Sequence, residues 1–566
     1  MSSATPFRSP DLRGARKRDA GAARSVADLP VIVIGAGIGG LAAAIRMAAA
    51  GLPVLLLEQH GWLGGKMRSL PSPAGPVDAG PTVMTMRHVF DALFEAAGER
   101  LEDHVTLTPD RILARHWWPD GATLDLSADA AQNAAALRAF GGAAAEAEFR
   151  CFCARTRHLF ERFDLPVMRS PKISLGGLAR AIAASPLTTL RAMAPGKTLA
   201  ALLQESFSDP RLRQLFGRYA TYVGGSPFGA PGLLALIWEA ELRGVWSVAG
   251  GMQALAQALA GLVGRMGVRV ELDTEVTGIE TEAGRAAWVQ LADGSRLQGR
   301  AVVFNGDPRA LRTGRLGPAM CRAVRASGTE PRALSAWVWS FAAELRGARS
   351  RQDPSEPSLV HHNVFFGADP RAEFAPIRAG RLPEDPTLYV CAQDRGGESA
   401  PADATGAGPA FQIGRAGPER FEIIMNGAPR GAQVTPEEAQ ACRTLTFQTL
   451  ERMGLRFASK PDLTTLTTPA DFARMFPASR GSLYGRSPEG MMASFLRPTT
   501  RTRIPGLYLA GGGVHPGPGI PMAALSGSHA AAAIATDLGL TSPSRPTAMP
   551  GGMSTASTGT AAVPSR

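Results

Sequence analysis

The stretch from Val31 to Glu58, VIVIGAGIGGLAAAIRMAAAGLPVLLLE, constrains the fold more than any other part of the chain. Four β-branched residues run into a glycine turn in which Gly35, Gly37 and Gly40 stand at the G-x-G-x-x-G spacing. The three glycines serve different ends, namely a tight turn, close backbone approach to a pyrophosphate, and close packing of a helix on the strand. The Ala-rich run Leu41 to Ala50 predicts that helix, whose N-terminal N–H groups would face the phosphates. Gly51 and Pro53 end it, and Val54 to Leu57 predict a second strand that closes on Glu58, at the distance expected of a ribose partner. A membrane-spanning helix would also be long and almost free of charge, but the spaced glycines, Pro53 and Glu58 argue against it. The unit therefore reads as βαβ, and the fold class as α/β.

At 566 residues the chain is too long for one small core, and two domains are expected. Its formal net charge of +11 suits nucleic acid or an anionic membrane surface. No Lys/Arg cluster interleaved with aromatics is present, so a membrane surface is favoured and no nucleic-acid partner is expected. Cys151, Cys153, Cys321, Cys391 and Cys442 form neither an even disulfide set nor a zinc spacing, which predicts reduced thiols, a cytoplasmic setting and no metal. Residues 1–29 are polar and basic without an apolar core segment, so they predict a disordered leader rather than a secretory signal. Residues 541–566 predict a disordered tail.

After Glu58 come GWLGGKMRS, Gly61 to Ser69, and then Asp78, Ala79, Gly80, Pro81 and Thr82. A first βαβ unit followed by a Gly64-Gly65-Lys66 turn and D-x-G-P-T resembles the FAD-containing amine oxidase and phytoene desaturase superfamily. The resemblance implies that the second glycine turn passes close to the flavin pyrophosphate and that Lys66 helps to neutralise it. The first unit alone would equally admit NAD; the extra turn favours FAD.

Leu126 to Trp246 is mostly helical in pattern and broken by prolines, as befits a lid or substrate domain. Within it Phe216, Tyr219, Tyr222, Phe228, Leu233, Leu236 and Trp238 could line an apolar channel, although helical spacing favours plain core. Gly250-Gly251-Met252-Gln253 opens a helix over Ala254 to Val263, and Val268, Val270 and Leu272 alternate along a strand to Val276. In the resembled superfamily this segment returns the chain to the FAD domain, with backbone near Val276 against the adenine. A meander follows to Phe304. Trp337 to Phe341, Leu388 to Cys391 and Phe421 to Met425 predict buried strands of a second sheet, and 396–418 a loop.

The last informative block contains GLYLAGGGVHPGPGIPMAALSG. Leu507 to Leu509 predict a strand, Gly511 to Gly513 a turn and Ile520 to Ile534 a helix, again a place where backbone and a helix dipole can approach a polar ligand. The stretch resembles the C-terminal FAD signature of bacterial carotenoid desaturases. LYG, the MASF segment and RPTTRTRIPGLYLAGG resemble most closely the hydroxyneurosporene desaturases. The superfamily commonly places an acid after this turn to hold the ribityl region; Gly512 and Gly513 stand there instead. His515 is a candidate catalytic residue, with hydrogen bonding to nearby backbone as the alternative.

The resemblance, spanning about residues 30 to 540, implies a discontinuous Rossmann-like FAD-binding domain, 30–125, 247–307 and 480–540. A sheet-plus-helix substrate and membrane-facing domain would occupy 126–246 and 308–479. The implied activity is FAD-dependent desaturation of acyclic carotenoids, at C-3,4 of 1-hydroxy or 1-methoxy compounds. The alternatives are a phytoene or neurosporene desaturase, a carotenoid isomerase or saturase, and a non-catalytic flavoprotein or carotenoid carrier. Oxygen and a quinone are both compatible electron acceptors. Such a substrate carries about forty carbons at about 0.8 kcal/mol per buried CH₂, which confines it to lipid. Peripheral membrane association is the consequence.

Overall fold

The computed structural model describes residues 28–325, 331–346, 358–395, 417–431, 433–490 and 493–540. Most of the leader, the tail at 541–566 and nearly all of the loop expected at 396–418 lie outside the described residues.

A five-stranded parallel sheet carries the opening motif. Its order is Leu507–Leu509, Ala301–Phe304, Val31–Ile34, Val54–Leu57 and Arg269–Glu271, so three distant stretches of sequence meet in one layer. Parallel strands covered on both faces read as unbroken apolar runs, and Val31–Ile34, Val54–Leu57 and Ala301–Phe304 are buried at every position. One face packs helices Ile38–Ala49, Met252–Arg265 and Ile520–Asp537. The other packs the antiparallel meander Val276–Glu282, Arg285–Leu291 and Arg296–Gln298. Small residues let the first and last helices touch: a Cβ at Gly527 would lie 2.8 Å from the Ala43 nitrogen.

Two local expectations are corrected. The first helix begins at Ile38, not Leu41, because extended Gly37 is its N-cap, which places Gly39 and Gly40 in the first turn. The strand expected to run to Val276 stops at Glu271; Asp273 turns the chain at φ 50°, and Val276 opens the separate antiparallel strand.

The second sheet has seven strands, ordered Leu466–Thr467, Ser335–Ala343, Glu419–Gly427, Leu388–Ala392, His362–Phe365, Ala114–Trp117 and Thr123–Leu126. Of the last two, Ala114–Trp117 lies in the stretch 30–125 expected to belong to the first domain, and Thr123–Leu126 straddles its end. They leave it because Trp117 stacks on Phe365 at 5.5 Å and because Leu124 and Leu126 join the core of the helical insert. That insert opens with Ala130–Phe163, whose first turn is capped by the Asp129 carboxylate accepting from the Ala131 and Gln132 N–H groups. Pro186 and Pro210, read as breakers, stand at the first position of helices Pro186–Met193 and Pro210–Gly217, where a missing N–H costs nothing.

Candidate active site

A cavity of about 680 Å³ runs from the glycine turns of the parallel sheet to the seven-stranded sheet and the helical insert. At its first end two turns lie against each other. Gly35, at φ 97°, donates its N–H to the Leu57 carbonyl at 2.8 Å, and Gly64 donates to the Ala36 carbonyl at 2.9 Å. A Cβ at Gly65 would come within 3.0 Å of the Gly37 Cα. Gly35, Gly37 and Gly65 line the cavity. Gly40 does not line it; a side chain there would drive into the Gly35 carbonyl oxygen, so this glycine serves helix packing.

Buried Glu58 faces the same space, its carboxylate accepting from the Ala36 N–H at 2.7 Å and the His60 N–H at 3.0 Å. A carboxylate has about four acceptor sites, so two stay available to hydroxyls. Asn305, which no motif singled out, sits under the first turn and donates to the Gly35 and Gly37 carbonyls at 3.0 and 3.3 Å. Its Oδ1 is buried with no protein partner. Paired glycine turns without side chains, an orphaned acceptor and a carboxylate with lone pairs to spare fit a dinucleotide with a pyrophosphate and a ribose.

Further along, Lys66, Asp307, Arg332 and Arg497 form a charged cluster. Lys66 Nζ donates to the Leu483 carbonyl at 2.5 Å and lies 5.2 Å from the Phe476 ring centre. Burial pushes its pKa down to about 8, against the pull of Asp307. Asp307 is ion-paired with Arg332. Arg497, pushed down to about 10 by burial, donates to the carbonyls of Tyr484 at 2.9 Å and Gly512 at 3.3 Å. It thereby pins the last glycine turn, and Gly512 and Gly513 line the cavity with Val276. His515 Nε2 donates to the Ser170 carbonyl at 2.9 Å, tying that turn to the helical insert. Asn305 and Asp307 could have been noticed as the polar N-G-D that ends an apolar strand.

The far end is made by side chains. Of the seven apolar candidates, Tyr222, Leu233 and Leu236 line the cavity. Phe216, Tyr219 and Trp238 belong to the core of the insert, and Phe228 packs edge-on against Phe374. Polar groups that no sequence pattern flagged stand among them: Arg218, Thr387, Tyr389 and Asn426. The Tyr389 hydroxyl meets Thr82 Oγ1 at 2.7 Å and His362 Nδ1 at 2.6 Å. Buried Glu373, pushed up to about 7 by burial, accepts from Thr387 and Asn426.

Residues 38–333 match the flavin containing amine oxidoreductase family. The chain is 54% identical over 508 residues to a hydroxyneurosporene desaturase of Cereibacter sphaeroides, covering 90% of this chain and 98% of that protein. It is 50% identical to the Rhodobacter capsulatus hydroxyneurosporene desaturase at 90% and 98% coverage. Among solved structures, cyclohexylamine oxidase from Brevibacterium oxydans superposes with a TM-score of 0.53 at 19% identity, over 90% of this chain and 100% of that one, a likeness of fold. With a glycine-lined dinucleotide cradle opening into an apolar cavity, and with these relatives matched from end to end, the chain belongs to the flavin-containing amine oxidoreductases, on the branch that holds the hydroxyneurosporene desaturases.

Proposed function

We propose that this FAD-dependent oxidoreductase desaturates acyclic carotenoids, introducing the C-3,4 double bond into 1-hydroxy or 1-methoxy compounds. The observation that carries the reading is the continuous cavity, glycine backbone at one end and apolar walls at the other. Gly35, Gly37 and Gly65 would hold the FAD pyrophosphate, facing Lys66 and the N-terminus of Ile38–Ala49. Glu58 would take ribose hydroxyls, Val276 would lie against the adenine, and Gly512 and Gly513 would border the ribityl chain. When bound, FAD supplies the two-electron acceptor that removal of an allylic hydride requires. The protein's share is to orient the polyene against it and to exclude water. His515 commits Nε2 to Ser170 and so serves to hold the insert over the last glycine turn.

Substrate would enter from lipid. Among the described residues no helix is long and apolar enough to cross a membrane. Leu165, Leu187 and Leu190 are 68%, 73% and 42% exposed, a cost in water that lipid would relieve. Val167, Met168 and Ile173, in the same stretch of chain as Leu165, line the cavity. Exposed Lys172, Arg180 and Arg191 stand beside the leucines in sequence, as a peripheral face on an anionic bilayer needs.

The test incubates FAD-loaded protein and membranes with 1-hydroxyneurosporene and, separately, with phytoene. A red-shifted product from the hydroxylated substrate supports the reading. Conversion of phytoene alone would sink the 3,4-assignment, and bound pigment whose absorption never shifts would make the protein a carrier.

A further inference from the structure

The apolar end of the cavity contains one feature that a hydrocarbon ligand does not explain, the guanidinium of Arg218. Arg218 lines the cavity together with Leu233, Leu236, Ala336, Val338 and Ile424. Among the described residues, one protein acceptor meets its N–H groups, the Tyr222 hydroxyl oxygen, 3.1 Å from Nη1. Five donors are present on a guanidinium, and an unpaired donor in an apolar space is costly.

The group is held in place rather than left to swing. Its carbon lies 5.1 Å from the Tyr222 ring centre and 5.4 Å from that of Tyr389. The Tyr222 hydroxyl donates to Glu241 Oε2 at 2.7 Å, which leaves its oxygen free to accept from Arg218. The other Glu241 oxygen accepts from Tyr219 at 2.8 Å. Burial opposes the charge on Arg218, but Tyr222 and Glu241 outweigh it and hold the guanidinium above its ordinary value. The buried carboxylate thus balances the cation at one remove, and among the described residues no further side-chain or backbone acceptor meets the remaining donors of this cavity-lining residue.

The position also fits the chemistry. The turn after Arg218 meets the start of the 335–343 strand, where the Leu334 N–H donates to the Gly224 carbonyl at 2.8 Å. Ala333 in turn donates to the Gly485 carbonyl at 2.9 Å, and a Cβ at Gly485 would lie 3.2 Å from the Gly513 Cα. The turn that follows Arg218 is thus linked through residues 333–334 and Gly485 to the last glycine turn. The C-1 carbon that bears the oxygen is separated from the C-3–C-4 bond by a single carbon. A group that grips that oxygen fixes that bond.

We propose that Arg218, oriented by Tyr222 and Glu241, is the specificity determinant that donates a hydrogen bond to the C-1 oxygen of the carotenoid. The inference rests on the desaturase reading above. A hydroxyl and a methoxy oxygen both accept hydrogen bonds, so both substrate types satisfy the guanidinium. A hydrocarbon terminus strips Arg218 of water and returns nothing, and sites built to bind a polar group reject analogues that lack it.

The experiment compares FAD-loaded wild type with Arg218→Leu, Arg218→Lys and Tyr222→Phe in lipid vesicles, on 1-hydroxyneurosporene, its 1-methoxy counterpart and neurosporene. For Arg218→Leu the ratio of kcat/KM on either oxygenated substrate to that on neurosporene should fall on the order of 100-fold, with unchanged flavin content. Arg218→Lys should restore part of the ratio, and Tyr222→Phe should lower it in the same direction. These two milder variants carry the test if the leucine variant does not fold. A ratio within about threefold of wild type in an active variant would overturn the role of Arg218 alone. Loss of flavin from Arg218→Lys and Tyr222→Phe would assign the residue to the cofactor and equally overturn it. Wild-type inactivity on all three substrates would sink the desaturase reading itself.

Discussion

The two ends of the cavity recognise by opposite means. At the parallel sheet the walls are largely backbone: Gly35, Gly37, Gly65, Gly512 and Gly513 leave empty space, and a side chain is disfavoured at Gly35 by its φ of 97° and at Gly65 and Gly513 by close contact. At the seven-stranded sheet the walls are side chains, with Tyr222, Leu233 and Ile424 making an apolar surface around Arg218. The first design suits an invariant ligand, since its contacts are backbone atoms that every residue type carries. The second suits a substrate that differs among relatives, since each wall residue can change alone.

Gly37→Val should break the first end and spare the second. Gly37 has φ −69°, so a side chain is allowed by the backbone, yet its Cβ would come within 3.2 Å of Asn305 Nδ2 and would fill the approach to the turn. Flavin affinity should fall at least about 100-fold, close to 3 kcal/mol. Titration of the flavin-free variant with FAD, followed by flavin fluorescence, measures this. The variant should keep the far-UV circular dichroism of the wild type. Full flavin occupancy in a folded variant would remove Gly37 from the site.

The same contrast explains what was legible in the sequence. A glycine acts locally, so Gly35, Gly37 and Gly40 could be read with the strand and helix around them, as could the strands Val31–Ile34, Val54–Leu57 and Leu507–Leu509. The far wall draws on residues 218, 222, 233, 387, 389, 424 and 426; Tyr222 and Leu233 stood out only as apolar residues at helical spacing, and Arg218, Thr387 and Asn426 are unremarkable beside their sequence neighbours. Only the pairing of Leu388–Ala392 with Glu419–Gly427, and the packing of the insert over them, makes them one surface. Asp78 shows the intermediate case. The D-x-G-P-T motif was visible, but the carboxylate proves to cap helix Met252–Arg265, accepting from the Met252 N–H at 2.5 Å. Strand Ala114–Trp117 joins the second sheet by pairing with His362–Phe365, far along the chain, and carries its hairpin partner Thr123–Leu126 with it, which no local pattern shows.

Lys66 sharpens the comparison, since it is a side chain working at the backbone end. Burial lowers its pKa to about 8 from the ordinary lysine value of 10.5. Between those values the unfolded chain binds the proton and the flavin-free fold does not, so stability of the flavin-free protein should rise with pH across that window. Flavin affinity should run the other way. A bound pyrophosphate favours the ammonium, so above about pH 8 binding must take up a proton and weakens as pH rises, by up to about tenfold per unit. Dissociation constants for FAD at pH 7 and pH 9 test this, and Lys66→Met should flatten the profile. An unchanged slope in Lys66→Met would move the titration to another group.

The smallest effect concerns the helical insert, where exposed Lys172 precedes cavity-lining Ile173. A basic residue near an anionic bilayer contributes about 1 kcal/mol, so Lys172→Gln should weaken partition onto vesicles containing phosphatidylserine about fivefold. The loss should shrink as salt rises, because the attraction is screened within about 10 Å at 0.1 M. On neutral phosphatidylcholine vesicles, partition should not change, since only the apolar contribution of Leu165, Leu187 and Leu190 remains there. Equal losses on both vesicle types would mean that Lys172 acts through the local fold and not through charge. Flavin affinity should be untouched in either case, because Lys172 lies on the insert while the flavin cradle belongs to the parallel sheet. A coupled change in both would show that the two ends of the cavity respond as one body.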